Sequence, residues 1–519
     1  MKLIGERHWG PDSPFRRLRF GSADLRAHSR VFSTFVSAAL MMGCQELWLP
    51  YGRDNPANCV QVPDACDDTQ ICNNKTEVCV PRLDLDAISP AFGPSSGGIE
   101  LLGTGSGFTP GMTLSLGMPS RLLTPLTLES ASQLRVSLPA RPAACGPQPI
   151  TITRPDGITV SRSDLFSYYV GNVAFAAGRP LPQPAPSNST VYLISADLNR
   201  DGKADIVSTA YNHAGIDVLL GDGTGALGPS QRIATGAGPY HLAVADVDGN
   251  GWPDLAVSNN TGNTVSILLG SGAGMFSPAV NLMNMSPLSA QFIDVDADGK
   301  LDLAVLANGR LRLWAGNGQG TFSFISEVNV DAGAALSAAA DVDGDGRSDL
   351  IVQASSGAFL SVFRNNGDGT FRSIRTNPLT SAAASCASAD FNEDGNLDLV
   401  AAEYSAGLVS VMPGRGDGTF GPLRSIASGA GSRILALGDL NCDGHVDVAV
   451  SHLGTAQVRV LLGRGDGSFD SNALTVMAPG AVSALGVAIG DLDGDGRPDL
   501  LIGVDGTSPS VQAALNASQ

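Results

Sequence analysis

The sequence predicts an all-β protein whose C-terminal part is an array of seven structural units. A nine-residue aspartate-rich segment recurs there, and its copies start 47 to 52 residues apart. Each copy leads into a short β-rich run such as DLAVSN or DLIVQA. The composition, with 63 Gly and 31 Pro, favours many short strands and turns. A period near fifty residues is typical of a solenoid, propeller or array.

The recurring segment has the composition of a cation-binding loop. Positions 1, 3, 5 and 9 are Asp or Asn in every copy, and position 6 is always Gly. Ca²⁺ takes six to eight oxygen ligands at about 2.3–2.6 Å, and Gly allows the sharp turn that brings them together. The candidate Ca²⁺ ligands, loop by loop, are Asp197, Asn199, Asp201 and Asp205; Asp246, Asp248, Asn250 and Asp254; Asp294, Asp296, Asp298 and Asp302; Asp341, Asp343, Asp345 and Asp349; Asp390, Asn392, Asp394 and Asp398; Asp439, Asn441, Asp443 and Asp447; Asp491, Asp493, Asp495 and Asp499.

The recurring loop has two alternative interpretations, an EF-hand and a plain Asp-Gly turn without an ion. An EF-hand begins in the same way but needs Glu at position 12, where this chain has Ser208 in the first loop and apolar residues in the others. Plain Asp-Gly turns without an ion are common in proteins. Seven copies with complete ligand spacing favour up to seven calcium sites over plain turns.

The acidity of the chain agrees with ion binding. The formal net charge is −18, and the candidate ligand positions contain 24 aspartates. Seven Ca²⁺ ions would add +14 and bring the charge from −18 to −4. A negatively charged chain is disfavoured as a nucleic-acid-binding protein, because nucleic acids are polyanions.

The N-terminal residues 1–43 are predicted to be an export signal. A basic stretch precedes the apolar run VFSTFVSAALMMG, which is too short to span a membrane and suits a signal-peptide core. The run ends at Cys44 and resembles a bacterial lipoprotein signal, in which that Cys is lipidated. Met41 departs from the usual Leu, and the long basic lead leaves open a twin-arginine route or a misplaced start codon. A simple secretory signal, with Cys44 as an ordinary thiol, is the alternative.

Residues 44–83 are predicted to be a Cys-rich linker. Four cysteines within 21 residues behind an export signal indicate two disulfides in a segment too short to build a core. A zinc knuckle fits neither the spacing nor the compartment. The disulfide candidates are Cys59, Cys66, Cys72 and Cys79. Sequence alone does not pair Cys145, Cys386 or Cys442, and Cys442, at position 4 of the sixth loop, is not expected to face the ion.

Residues 84–170 form a second kind of segment. The stretch ISPAFGPSSGGIELLGTGSGF and the later run PITITRPDGITVSRSDLFSYYV resemble an IPT/TIG domain. The resemblance implies an immunoglobulin-like β-sandwich, of a type that serves as a spacer or a protein-interaction unit without chemistry of its own.

Residues 171–519 carry a further signature in each unit. A second strand ends in a glycine-rich turn, as in LLGDGTGAL, NNGDGTF and PGRGDGTF, which is typical of a hairpin. Together the loop and the turn resemble the FG-GAP/VCBS repeat of integrin α subunits and some fungal lectins. The resemblance implies a seven-bladed β-propeller, preceded here by the IPT/TIG sandwich, with the loop aspartates as Ca²⁺ ligands.

Two details of the repeat need their own interpretation. The seventh unit lacks an outer strand, and VAFAAGRPLPQP from Val173 resembles that strand, so we expect it to close the ring. The tripeptide RGD occurs at Arg415-Gly416-Asp417 and at Arg464-Gly465-Asp466. Both copies stand where other units have equivalent hairpin residues, so the repeat explains them without adhesion through RGD.

No catalytic motif is present, so we expect the chain not to be an enzyme. The six His form no HExxH pattern, and there is no GxSxG elbow. The favoured function is a calcium-binding adhesion or interaction protein of the bacterial cell envelope, either an outer-membrane lipoprotein held by Cys44 or a secreted protein. Its partner is expected to be a protein or glycan at the cell surface. The alternatives are a lectin-like carbohydrate-binding propeller and a scaffold of an extracellular enzyme system.

Overall fold

The structure of the protein is a computed structural model. It describes residues 70–73, 78–95, 97–117, 121–140, 145–170, 173–181, 190–283, 286–330, 334–354, 357–376, 378–506 and 511–518. The regular elements within these ranges are β-strands, which agrees with the predicted all-β class. None of the described residues belongs to a helix that is long and apolar enough to span a membrane. The predicted export signal and Cys44 lie outside the described residues.

The chain divides into two compact units, Met1–Val80 and Pro81–Gln519. In the Cys-rich segment the structure describes one pair of hydrogen-bonded strands, β1 (Gln70–Asn73) and β2 (Val78–Pro81). Cys79, in β2, is disulfide-bonded. Cys59 and Cys66 lie outside the described residues and the side chain of Cys72 is not described, so the pairing of these cysteines stays a prediction.

The segment after β2 folds as an immunoglobulin-like sandwich. Alternate residues of its strands face inward, as Ile150 and Ile152 do in β11, because successive side chains of a strand point to opposite faces. They pack with Leu101, Leu114 and Tyr168 into one core. The sheets have the orders β3-β5-β9-β8, β12-β11-β6-β7 and β10-β13-β4. The strands are β3 (Asp84–Ser89), β4 (Phe92–Pro94), β5 (Glu100–Ser106), β6 (Thr113–Leu116), β7 (Arg121–Leu123), β8 (Leu126–Ser130), β9 (Gln133–Ser137), β10 (Gly146–Pro147), β11 (Ile150–Thr153), β12 (Thr159–Arg162) and β13 (Ser167–Tyr169).

The repeats form a seven-bladed β-propeller, as the sequence predicted. Each blade is an antiparallel four-stranded sheet, and the order of its strands from the inside outward follows the chain in blades 1 to 6. The blades are β15 (Leu193–Ala196), β16 (Asp205–Ala210), β17 (Gly215–Leu219) and β18 (Gln231–Ala234); β19 (Pro239–Ala245), β20 (Asp254–Asn259), β21 (Thr264–Leu268) and β24 (Val280–Met283); β25 (Pro287–Ile293), β26 (Asp302–Ala307), β27 (Arg310–Gly316) and β28 (Phe322–Asn329); β29 (Ala335–Ala340), β30 (Asp349–Gln353), β31 (Leu360–Asn365) and β32 (Phe371–Arg375); β33 (Ala383–Ala389), β34 (Asp398–Glu403), β35 (Leu408–Met412) and β36 (Arg424–Ala427); β37 (Ser432–Gly438), β38 (Asp447–His452), β39 (Gln457–Leu461) and β40 (Leu474–Met477); β41 (Ser483–Gly490), β42 (Asp499–Asp505) and β43 (Val511–Ala514), completed by β14 (Arg179–Pro180). A short hairpin of β22 (Gly270–Gly272) and β23 (Met275–Phe276) lies within blade 2.

Apolar contacts between the faces of neighbouring blades hold the ring together. The second strand of a blade, such as β20, is buried along its whole length because it has another blade on each side. Among the described residues there is one apolar cluster for each of the seven blade interfaces. In the cluster that closes the ring, Leu193 and Ile206 of blade 1 pack with Leu501 and Val511 of blade 7. Burial of this kind stabilises by about 25 cal/mol per Å² of apolar surface.

The ring closes through a strand from the other end of the repeat region. Arg179 and Pro180 pair antiparallel with Ala513 and Gln512 of β43, so β14 is the outer strand of blade 7. Around it, Ala176 N–H donates to the Leu515 carbonyl at 2.9 Å, and Ala517 N–H donates to the Ala174 carbonyl at 2.8 Å. The predicted closure by the segment from Val173 is therefore confirmed. Pairing the two ends of the array removes two open sheet edges.

The sandwich and the propeller meet at the sixth aspartate loop. Cys145 of the sandwich forms a disulfide with Cys442, with their Cα atoms 5.2 Å apart and a sequence separation of 297 residues. Val170 N–H also donates to the Asn441 carbonyl at 2.7 Å. The Phe92 ring lies beside Gly444 of the same loop. The disulfide agrees with the expectation that Cys442 is not an ion ligand, and it gives this residue a structural role.

Candidate metal centre

Each aspartate loop joins the end of the inner strand of a blade to the start of its second strand. Position 9 is the first residue of the second strand, as Asp254 is in β20. Position 6 is Gly with φ between 80° and 90° in all seven loops. Position 4 is also left-handed, including the non-glycine residues Arg200, Glu393 and Cys442 with φ of 56°, 56° and 62°. Two left-handed residues fold the nine residues into a compact turn.

The position 9 carboxylate connects the loop to the rest of its blade. In blade 2 the Asp254 Oδ2 accepts the Val247 N–H at 2.8 Å, and the Oδ1 accepts the Gly270 N–H at 2.6 Å. The same two acceptors are used in every blade, and all seven carboxylates are at most 1% exposed. We call this pair of hydrogen bonds the latch. It fixes the position 2 backbone and the start of the glycine turn at the same point in blades 1 to 6, and in blade 7 Asn516 takes the place of the turn.

Burial sets the protonation behaviour of the latch carboxyls. Desolvation raises the pKa of Asp349 and of Asp499 to about 6, and the pKa of Asp447 to about 8. The two backbone donors act in the opposite direction, and nearby loop carboxylates raise these pKa values further. The pKa values of the other four latch carboxyls are raised for the same reason. A cation at the loop would favour the charged form of these groups.

In two loops position 1 leaves an oxygen available for a cation, whereas in the other five its Oδ1 accepts a backbone N–H. Its Oδ2 accepts the N–H of the position 6 glycine at 2.8 or 2.9 Å in all seven loops. The Oδ1 atoms of Asp246 and Asp294 are buried and have no hydrogen-bond partner among the described residues. A buried carboxylate oxygen without a partner is costly, and a cation would satisfy it. The residues present therefore fit a hard cation such as Ca²⁺.

The carboxylates of positions 1, 3 and 9 come together in four loops. One oxygen from each lies within 4.8 Å of the others in these groups, which we call the triads: Asp246, Asp248 and Asp254; Asp294, Asp296 and Asp302; Asp341, Asp343 and Asp349; Asp491, Asp493 and Asp499. These are the loops with Asp at position 3. The first, fifth and sixth loops have Asn199, Asn392 and Asn441 there.

Position 5 faces the other way. Its side-chain oxygen accepts the N–H of position 7 at 2.7 to 3.0 Å in every loop. In four loops it also pairs with a Lys or Arg side chain at position 7, as Asp201 does with Lys203 at 3.4 Å. The structure therefore does not place the position 5 residues within the triads. In the fourth loop the Arg364 guanidinium lies against Asp343 and competes with a cation there.

The glycine-rich turns contact the loops of the preceding blade, which the sequence did not indicate. Gly467 N–H in blade 6 donates to the Phe391 carbonyl, at position 2 of the fifth loop, at 2.8 Å, and blades 1, 4 and 5 repeat this bond. The Asp417 and Asp466 carboxylates of the RGD tripeptides accept hydrogen bonds from Thr419 and Ser468, as Asp222 does from Thr224. Turn geometry thus accounts for both tripeptides.

Comparison with protein families agrees with this architecture. The model of the FG-GAP-like repeat matches residues 197–257, 246–305, 294–352, 341–401, 390–450 and 439–502, which together span more than half of the chain. The model of the IPT/TIG domain matches residues 84–168. No curated protein sequence matches the chain.

Similar solved structures are distant. A lectin from Agrocybe aegerita that recognises non-reducing terminal N-acetylglucosamine has 18% identity and a TM-score of 0.43, over 80% of this chain and 97% of that chain. BBS1N in complex with ARL6DN has 14% identity and a TM-score of 0.45, over 66% and 96%. A protein from Lactobacillus plantarum has 13% identity and a TM-score of 0.42, over 72% and 98%.

The latch and the triad make separable predictions in the third loop. In excess chelator, Asp302→Asn is expected to lower the free energy of unfolding by about 1–3 kcal/mol, because an amide offers one acceptor to two backbone donors. Asp296→Asn removes the same charge at an exposed position and should change little under these conditions. Urea unfolding measures both variants. Equal losses would contradict the structural role of the latch.

Proposed function

Because the chain belongs to the FG-GAP-like repeat family, we propose that it is a calcium-stabilised β-propeller that serves as a binding platform in the bacterial cell envelope. The triads, with the unpartnered oxygens of Asp246 and Asp294, carry the calcium part of this proposal. The full ligand set would be positions 1, 3, 5 and 9 of each loop. Position 5 would have to turn away from position 7 to join it.

The proposed role of the ion is structural. Three or four carboxylates within nine residues repel one another, and a cation offsets that repulsion. A ligand that binds only the folded state stabilises it by about 2.7 kcal/mol per site at a hundredfold excess over its Kd. Several such sites would equal the roughly 5–15 kcal/mol of a typical domain. Calcium would then hold the loops in the shape that the latch and the glycine turns require.

Calcium dependence can be tested with matched variants of two loops. Asp294→Asn removes a carboxylate from a triad, whereas Asp390→Asn changes the equivalent residue of a loop with Asn at position 3. Both carboxylates accept the N–H of their position 6 glycine at 2.9 Å, and Asp390 Oδ1 also accepts the Asp394 N–H at 3.1 Å. Removing Ca²⁺ should lower the Tm of the unmodified protein by many degrees. The part of the Tm that depends on Ca²⁺ should fall more for Asp294→Asn than for Asp390→Asn.

The comparison uses thermal unfolding in millimolar Ca²⁺ and in excess chelator for all three proteins. Unfolding in chelator alone reports any loss that does not involve the ion. If the unmodified protein melts identically in both conditions, the loops are ordinary turns and the calcium proposal is wrong.

A binding role is favoured over catalysis. The sequence contains none of the catalytic motifs considered above, and the loop carboxylates are occupied by the latch and the proposed ions. Blade connections can vary without disturbing the sheets, which suits recognition of a surface protein or glycan. The sandwich, joined covalently to the sixth loop by Cys145 and Cys442, would present the propeller at a fixed orientation.

Attachment to the envelope is proposed from the sequence around Cys44. The unmodified protein, expressed in a bacterial host, should incorporate labelled palmitate and sediment with membranes. Cys44→Ser should lose the label and appear in the soluble fraction, whereas Cys386→Ser, which alters a buried thiol of the propeller, should keep it. Unchanged labelling of Cys44→Ser would contradict the lipid anchor.

A further inference from the structure

A cavity of about 160 Å³ lies at the centre of the propeller. Residues near the start of the inner strands of blades 1 to 6 line it, together with Gln353 at the end of β30. The aspartate loops follow the ends of the same inner strands, so the cavity and the loops lie at opposite ends of the ring. The cavity is smaller than the roughly 300–1,000 Å³ of sites for drug-sized ligands, and it suits a ligand of one ring.

Register shifts near the first residues of three inner strands direct additional side chains towards this cavity. Successive side chains of a regular strand point to opposite faces. Here both Tyr240 and His241 line the cavity, and so do the consecutive pairs Leu288 with Ser289 and Ala384 with Ser385. The register of the inner strand shifts at each of these places. Such bulges re-aim side chains and are common beside functional sites.

The walls of the cavity differ from side to side. Blades 1 and 2 supply aromatic rings. The ring centroids of Tyr192 and His241 lie 4.4 Å apart, and those of Tyr240 and Tyr211 lie 6.3 Å apart in an edge-to-face contact. Blades 4 and 5 supply the small residues Ala335, Ala384 and Ser385. Because the residues opposite the rings of Tyr192 and Tyr240 are small, there is space beside these rings, which we call the slot.

His241, which lines the cavity, carries a buried nitrogen that no described residue contacts through a hydrogen bond. The residue is only 7% exposed, and its Nδ1 has no hydrogen-bond partner among the described residues. Burial lowers the pKa of its imidazole to about 4, so the ring is neutral at pH 7. An unpartnered buried nitrogen is costly unless a ligand or water meets it.

The chemistry of the lining restricts the ligand. No Asp, Glu, Lys or Arg is among the described residues that line the cavity, so it offers nothing to balance a ligand charge. Ser289, Ser385 and Gln353 supply hydroxyl and amide groups that suit a ligand with several polar atoms. The C–H face of a sugar ring packs on an aromatic side chain while its hydroxyls reach such groups.

We propose that the central cavity binds a single uncharged sugar ring, either free or at the end of a glycan. The aromatic rings of Tyr240 and Tyr192 would pack on the face of the sugar, and the His241 imidazole would hydrogen-bond to one of its hydroxyls. The proposal rests on the binding role inferred above and names the ligand class of that role.

The test uses the full-length protein in millimolar Ca²⁺ and isothermal titration with methyl glycosides of uncharged hexoses and N-acetylhexosamines. At least one glycoside should bind at millimolar concentration or below. N-acetylneuraminate, which is charged, and adenosine, which is flat and aromatic, should not bind. Glycan arrays that carry the same sugar as a terminal residue then separate a free sugar from a glycan end, according to which form binds more tightly.

Matched variants locate the site. Tyr240→Ala should weaken glycoside binding about tenfold, which corresponds to about 1.4 kcal/mol, because it removes an aromatic contact with the sugar. Tyr404→Ala changes a tyrosine outside the cavity lining and should leave the affinity unchanged. Ala384→Leu fills the slot from the opposite wall and should abolish binding. It provides a second measurement if Tyr240→Ala fails to fold.

Three results would overturn the proposal: no uncharged glycoside binds, adenosine or N-acetylneuraminate binds instead, or the affinities of Tyr240→Ala and Ala384→Leu equal that of the unmodified protein. None of these results would change the calcium dependence of the melting curve. A failure of the sugar site is therefore distinguishable from a failure of the calcium-stabilised platform.

Discussion

A buried aspartate that accepts two backbone N–H groups is the interaction on which the propeller depends. In six blades the position 9 carboxylate joins the aspartate loop to the residue that begins the glycine turn, as Asp302 joins Val295 to Gly316, and in blade 7 it joins the loop to Asn516. In four blades the glycine turn also donates a backbone hydrogen bond to the aspartate loop of the preceding blade. These bonds connect the latch of one blade to the loop of its neighbour. Because the carboxylate is buried, its charge is unfavourable until donors or a cation offset it.

The same inner strands give the two ends of the ring different properties. At one end they lead into acidic loops, in four of which the position 1 and position 3 carboxylates meet the latch carboxylate. At the other end they begin with bulges that direct consecutive side chains into a cavity without formal charges. Apolar clusters pack neighbouring blades against one another, and β14 supplies the fourth strand of blade 7. Stabilisation by the proposed ions and recognition by the proposed cavity are thus separated in space.

Much of this architecture could be predicted because it repeats. The loop spacing and the glycine turns predicted the blades, and the missing outer strand of the last unit predicted the closure. The latch donors could not be predicted, because they lie about 7 and 16 residues from the aspartate. The left-handed position 4 was indicated only by glycines in three loops, whereas Arg200 and Glu393 concealed it. The disulfide joins Cys145 and Cys442 across 297 residues, and no local pattern marks such a pair. The bulges depend on strand pairing, so the sequence did not reveal the cavity.

The number of calcium ions bound per folded chain tests the central claim most directly. The full-length protein would be equilibrated with millimolar Ca²⁺, separated from free ion on a calcium-buffered column, and analysed for metal and protein content. Four triads are present among the described residues, and three more loops have Asn at position 3. We therefore expect at least four and at most seven Ca²⁺ per chain. A folded chain that retains less than one Ca²⁺ would contradict the account.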